Sequence, residues 1–281
     1  MRIVTFRSEG RERAGVLTDG GTIDAAQALG RDAVSVRELL SDDLVEELRE
    51  RITDPPDGSV LTGEVELLPP VTDPDKIVCI GLNYRSHAEE AGIEPPGHPT
   101  FFAKFRNALA PPGATVALPA ASEKVDYEAE VAVVIGRRCT EVDVAGAEDA
   151  IAGYMLLNDL SARDLQFATP QWMPGKVFDG SAPCGPALVT RDEAGSHDAI
   201  SFTLELNGEI MQDASTSDLI FSIPELVSRL SEWMTLVPGD VISTGTPAGV
   251  GSVREPRVWL KAGDEIEIRS PQLGTLATAI G

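Results

Sequence analysis

Asp126-Tyr127-Glu128-Ala129-Glu130-Val131-Ala132-Val133-Val134-Ile135-Gly136 is the stretch on which the fold turns. Its second half is an unbroken run of small and β-branched apolar residues closed by a glycine, the composition of a strand buried on both faces. Side chains alternate along a strand, so Glu128 and Glu130 point the same way. Two carboxylates about 4 Å apart at an effective dielectric near 20 repel by roughly 4 kcal/mol. Solvent, a shared proton, a Lys or Arg, or a metal ion must offset that repulsion.

A third acid follows a second apolar strand, Tyr154-Met155-Leu156-Leu157-Asn158-Asp159. Strand ends running into polar turns are where site residues are often displayed. Three carboxylate ligands with room for water suit a hard cation such as Mg²⁺ or Mn²⁺. Spacing alone leaves a plainer alternative open, a solvent-facing strand edge and an ordinary turn acid.

Outward from this centre the chain is rich in short strand signals: Lys76 to Gly81, Ala187 to Thr190, Phe202 to Leu206, Val241 to Ser243 and Glu265 to Ile268. Asn207-Gly208 marks a hairpin. One long helix opens at Ser222-Ile223-Pro224-Glu225, read as its cap, and carries Ile223, Leu226, Val227, Leu230, Trp233 and Met234 as a core stripe. Residues 1–70 read as a small α/β unit. It has two strands (Met1 to Phe6, Ala14 to Thr18), a capping box at Ser35-Val36-Arg37-Glu38 and a second helix over Leu44 to Ile52. The Pro-rich passage through Pro69-Pro70 separates it from residues 71–281. The fold class expected is α+β, mostly β.

The formal net charge of -22 argues against nucleic acid and anionic lipid as partners, because both need clustered Lys and Arg. No apolar run approaches the roughly 20 residues of a membrane span, and no signal-peptide pattern opens the chain, so the cytoplasm is the expected compartment. Cys79, Cys139 and Cys184 are scattered and lack metal or disulfide spacing; Cys184 reads as a packed thiol. No Gly-x-Ser-x-Gly elbow is present. The Gly245–Gly251 loop lacks the Gly-Lys-Ser/Thr ending of a nucleotide loop, though its main-chain N–H groups suit a carboxylate. His87 and Glu90, three apart in a short helical stretch ended by Gly92, share a helix face. A carboxylate beside an imidazole orients it as a base. Taken alone, Lys104 and Lys176 read as surface lysines whose stems cover apolar surface.

Six segments in order resemble the fumarylacetoacetate hydrolase family, in its acylpyruvase and 2-hydroxyhepta-2,4-diene-1,7-dioate isomerase-like branch. They are Gly81-Leu82-Asn83-Tyr84-x-x-His87, Glu128-x-Glu130, Asn158-Asp159 to Gln166, Pro174-Gly175-Lys176-Val177-Phe178-Asp179, Ile220-Phe221-Ser222-Ile223-Pro224, and Thr244-Gly245-Thr246-Pro247-x-Gly249-Val250-Gly251. The resemblance covers roughly residues 76 to 281.

It implies a mixed β-sandwich roll behind the small N-terminal domain, a homodimer, and one Mg²⁺ or Mn²⁺ held by Glu128, Glu130 and Asp159. It further implies His87, Glu90 and Lys176 as catalytic residues. Lys104, Gln166, Thr246 and Gly245 would lie on the substrate. The family pattern usually continues Lys104 with Pro; here Phe105 follows. Arg163 and Asp164 read as a structural ion pair. The implied reaction is hydrolysis of a carbon–carbon bond in an acylpyruvate-type β-diketo acid, releasing pyruvate. Decarboxylation of an oxaloacetate-type acid, or enol–keto isomerisation, is the alternative for the same site.

Overall fold

The computed structural model describes residues 1–281. The strand Ala129–Ile135 lies inside a 12-stranded mixed sheet. It pairs antiparallel with Ile151–Asn158 on one side and with Val241–Ser243 on the other. Its apolar run is continuous because both faces are covered. Val131, Val133 and Ile135 enter one hydrophobic core with helix Ile223–Trp233 and the five-stranded sheet. Ala132 and Val134 enter a second core with the N-terminal helices. All seven side chains of this strand are buried.

The main sheet runs from Val60–Leu61 through Gly21–Asp24, Arg11–Thr18, Arg2–Ser8, Ala182–Thr190, Ile151–Asn158, Ala129–Ile135, Val241–Ser243 and Ile77–Gly81 to Thr100–Lys104. Arg2 and Ile3 pair with Val189 and Leu188. Residues 1–70 therefore share both a sheet and a core with the rest of the chain. The five-stranded sheet is built on the hairpin Ser201–Leu206 and Glu209–Ser215. Asn207 and Gly208 take φ of 53° and 82°, as a two-residue hairpin turn requires. The architecture is mostly β, as expected. No helix is long and apolar enough to cross a membrane.

Local chemistry explains most elements. Ser35 and Glu38 form the reciprocal capping box at helix Val36–Ser41. Helix Ile223–Trp233 departs from expectation at both ends. Ser222 makes no side-chain cap bond, and Pro224 in the first turn presets the backbone instead. Ile223, Leu226, Val227 and Leu230 are buried, but Trp233 is 51% exposed and stacks on Phe101 with ring centroids 5.2 Å apart.

Candidate active site

Glu128 and Glu130 leave the start of strand Ala129–Ile135, and Asp159 leaves the end of its neighbour. Two bonds set the crossing. Asp159 N–H donates to Glu128 C=O (2.9 Å), and Glu128 N–H donates to Asn158 Oδ1 (3.1 Å). One carboxylate oxygen from each of the three acids then lies within 4.8 Å of the others, and all three residues are buried. The sheet register, extended by these two bonds, produces this convergence.

Cations surround the cluster. Lys176 Nζ donates to Glu128 Oε2 (2.6 Å) and Asp159 Oδ2 (2.8 Å). It reaches inward from a 3₁₀ turn, Met173–Gly175. Gly175 presses against the Ala162 carbonyl so closely that a Cβ would sit 2.4 Å from it. Lys104 Nζ lies 2.8 Å from Asp159 Oδ1 and donates to the Lys176 carbonyl and to Ser181. The Lys104–Asp159 contact has ion-pair distance without hydrogen-bond direction, so Asp159 Oδ1 keeps an unused lone pair. Arg163 Nη2 reaches Asp126 Oδ2 (2.8 Å) and Glu128 Oε1 (2.7 Å).

Four buried acids thus face three cations, and Glu130 is the acid without one. Its Oε2 accepts from Ser243 Oγ and from Gly245 N–H (3.0 Å). Burial first, then Asp159 and Glu128, push its carboxyl up to about 8. Burial acts the same way on Glu128, but Arg163 and Lys176 outweigh it and hold that carboxyl well below its usual range. Burial lowers Lys176, yet Asp159 and Glu128 raise it further, so it is firmly protonated. A buried carboxylate lacking a counter-charge, beside hard oxygen donors and an unused Asp159 lone pair, fits a divalent cation.

His87 sits on helix Arg85–Ala91, whose start is pinned by Ser86 N–H and Oγ donating to Asp218 Oδ2 (3.0 and 2.6 Å). His87 Nδ1 is 3.4 Å from Glu90 Oε2, and Glu90 Oε1 accepts from Gly249 N–H (3.0 Å). The carboxylate thereby ties the imidazole to the Gly245–Gly251 loop. His87 lines the same cavity of about 460 Å³ as the three acids, Arg163, Gln166, Lys176 and Thr246. Trp172 and Phe102 form an apolar wall, with ring centroids 5.8 Å apart and Lys176 Nζ 4.9 Å from the Phe102 centroid.

A family model described as fumarylacetoacetate (FAA) hydrolase, C-terminal, matches residues 76–281. The chain belongs to the fumarylacetoacetate hydrolase family. It is 42% identical over 219 residues to the mitochondrial oxaloacetate tautomerase FAHD2A of Bos taurus, covering 77% of this chain and 70% of the relative. It also resembles the solved fumarylacetoacetate hydrolase of Exiguobacterium antarcticum, with TM-score 0.86, 31% identity and coverage of 100% and 99% of the two chains. The solved maleylpyruvate hydrolase of Sphingobium sp. SYK-6 matches with TM-score 0.82, 31% identity and full coverage of both chains.

Within this fumarylacetoacetate hydrolase fold, several expected placements change. Lys104 and Gly245 do not line the cavity; they stand behind Asp159 and Glu130 and hold those carboxylates in place. Arg163 does not pair with Asp164. It turns to Asp126 and Glu128, while Asp164 accepts from Ser122 Oγ (2.5 Å). Thr246 and Gln166 do line the cavity, held by Gln212 and Arg163 respectively. The sequence reading passed over Asp126, Ser243 and Gln212, all buried polar residues joined to the site across long sequence separations. All three cysteines are buried and free, and burial pushes the Cys184 thiol up to about 12.

Proposed function

We propose that the protein is a metal-dependent hydrolase that cleaves a carbon–carbon bond in an acylpyruvate-type β-diketo acid, releasing pyruvate. The observation that carries this reading is the convergence of Glu128, Glu130, Asp159 and Lys176 on one cavity that His87 also faces. Glu128, Glu130 and Asp159 would hold the cation, Mg²⁺ or Mn²⁺ by their hard oxygen donors. When bound, it supplies positive charge that stabilises an enolate oxygen.

The chain's own groups do the rest. Gln166, held by Arg163, and Thr246 receive the carboxylate end of the substrate. His87, only 15% exposed and oriented by Glu90, takes a proton from a water. The water oxygen attacks the distal carbonyl carbon. The bond between that carbon and the adjacent methylene carbon breaks, and its electron pair passes into the pyruvate enolate. Lys176 offsets the developing negative charge. Return of the proton to carbon then releases pyruvate and the free acid.

A second reading draws on the 42% identity to an oxaloacetate tautomerase. Enol–keto interconversion needs the same proton transfer beside a 2-oxo group and no water attack. A panel of acylpyruvates, oxaloacetate and open-chain dienols, assayed with Mg²⁺ and Mn²⁺, separates the two. Turnover of oxaloacetate or dienol without release of CO₂, and with no pyruvate formed from any acylpyruvate, would replace hydrolysis with isomerisation; release of CO₂ from oxaloacetate would replace it with decarboxylation. Absence of turnover on every member of the panel would remove both.

Three buried free thiols suit a reducing compartment, and the cytoplasm is the placement proposed. The exposed Phe101 and Phe105 at the edge strand Thr100–Lys104 support a homodimer. Sedimentation of the purified chain tests the latter.

A further inference from the structure

Gln212 finishes a ladder that the backbone leaves open. Strand Ala129–Ile135 pairs with Val241–Ser243 as far as Ala132 and Ser243, and Thr244 N–H still donates to the Val131 carbonyl (3.0 Å). Continued past that bond, the same register would set Thr246 opposite Ala129. The backbone turns away first. Gly245 takes a φ of 95°, and a Cβ there would sit 2.9 Å from the Ile80 carbonyl oxygen. The N–H and C=O of Ala129, the residue between Glu128 and Glu130, are left to side chains.

Two buried side chains take the missing places. Ala129 N–H donates to Gln212 Oε1 (2.9 Å), and Thr246 Oγ1 donates to the Ala129 carbonyl (3.0 Å). Gln212 Nε2 closes the ring by donating to Thr246 Oγ1 (2.9 Å), and it also donates to the Pro247 carbonyl (3.1 Å). Each direction is forced. An N–H can only donate and a carbonyl can only accept, so the Gln212 amide has one orientation. With Nε2 donating to it, the Thr246 hydroxyl must send its proton to Ala129. Thr246 then keeps its main-chain N–H, which donates to no group of the protein, for a carboxylate in the cavity. The residue before Gln212 backs the other end of the same loop. A Cβ on Gly249 would lie 2.1 Å from the Met211 carbonyl oxygen, and Gly249 N–H holds Glu90.

We propose that Gln212 is a positioning residue: its amide, the Thr246 hydroxyl and the Ala129 peptide form one closed ring that fixes the Gly245–Gly251 loop against the two glutamates. This rests on the proposed 2-oxo acid site and adds the group that steadies its carboxylate end. The glutamates have anchors of their own, Lys176 and Arg163 on Glu128, Ser243 and Gly245 on Glu130. Opening the ring therefore weakens the organic ligand before it weakens the cation.

The test uses oxalate, whose oxygens imitate the carboxylate and enolate oxygens of pyruvate, titrated into the Mn²⁺-loaded protein by calorimetry. Gln212→Met and Thr246→Val nearly keep the side-chain volumes and remove the bonds. Each should weaken oxalate about tenfold, with Mn²⁺ affinity near the wild-type value. A ring is open wherever it is cut, so the double variant should also lose about tenfold, not about a hundredfold. Hydrogen exchange of the Ala129 amide in the metal-free protein reads the ring without any ligand. It should quicken about tenfold in Thr246→Val, although that side chain meets only the Ala129 carbonyl. A Gln212→Met variant that loses stability to urea but keeps the wild-type oxalate affinity overturns the proposal. Losses that multiply in the double variant also overturn it. So does Ala129 exchange unmoved by Thr246→Val, a result that counts even where Gln212→Met does not fold. If the wild-type protein binds no oxalate, the 2-oxo acid reading falls, and Ala129 exchange alone decides for or against the ring.

Discussion

Glu130 is the acid of the cluster without a counter-charge, because Glu128 and Asp159 have ammonium or guanidinium partners and Glu130 has only a hydroxyl and an N–H group. In the metal-free protein its carboxyl keeps its proton up to about 8. A cation must displace that proton, so metal binding should release protons below about pH 8, and affinity should fall as pH drops. Calorimetry in buffers of different ionisation enthalpy measures this; proton release that is nil at pH 6 would contradict it. Asp159→Ala removes a proposed ligand and should weaken Mn²⁺ by more than about 100-fold, since disturbing supporting residues alone costs 10–100-fold. His87→Ala leaves the acids intact and should keep Mn²⁺ affinity while lowering kcat about 10²- to 10⁴-fold. Electron paramagnetic resonance of Mn²⁺ separates the two outcomes. Alternation and strand ends placed the three acids, but only the family resemblance marked them as one metal-binding set. Of the cations behind them, Lys104 and Lys176 were marked only by the family resemblance, and Arg163 was read with Asp164 as its partner. Arg163 has an acid beside it in sequence, Asp164, but pairs with Asp126, 37 residues away, through register. Lys104 has no local signal at all, since its partners are Asp159, Lys176 and Ser181.

At the scale of elements, strands with a long apolar or alternating pattern were legible, whereas most of those of two to four residues were not, Val241–Ser243 excepted. Ala129–Ile135 and Ser201–Leu206 have composition and turn chemistry of their own. Val60–Leu61 and Leu109–Ala110 exist only because a neighbour offers a free edge. Helical periodicity places the buried stripe of Ile223–Trp233 but does not say where the covering surface ends, which is why Trp233 emerges onto Phe101. The central strand Ile151–Asn158 delivers Asp159, and its position depends on close contact at Gly153. A Cβ there would lie 2.1 Å from the Val189 carbonyl oxygen. Gly153→Ala should therefore push apart two central strands, lowering stability by about 3 kcal/mol. Because the displaced strand also carries Asp159, Mn²⁺ affinity should fall with it. Urea denaturation and metal titration on one sample check both; unchanged values would show that the strands can shift without disturbing the site.

For the whole molecule, the decisive feature is that one strand face belongs to both ends of the chain. Ala132, Val134, Met155, Leu157 and Leu188 share a core with Ile3, Val16, Leu39 and Leu48. Arg2–Ser8 also occupies an edge of Ala182–Thr190 that would otherwise be bare. Composition and the Pro69-Pro70 passage suggested a division near residue 70, and the family model begins at residue 76. Contacts across that line are of the kind found inside a domain. Removing residues 1–70 would expose an apolar sheet face and an unpaired edge, both of which favour association. The side chains proposed as catalytic all lie beyond residue 80, so the fragment would retain every group of the proposed site. The expected outcome is that residues 71–281, expressed alone, aggregate or lose their cooperative unfolding transition. Supplying residues 1–70 as a separate chain should restore part of both. If the fragment alone unfolds cooperatively and binds Mn²⁺ as the full chain does, the N-terminal strands are an accessory layer and the two cores are energetically independent.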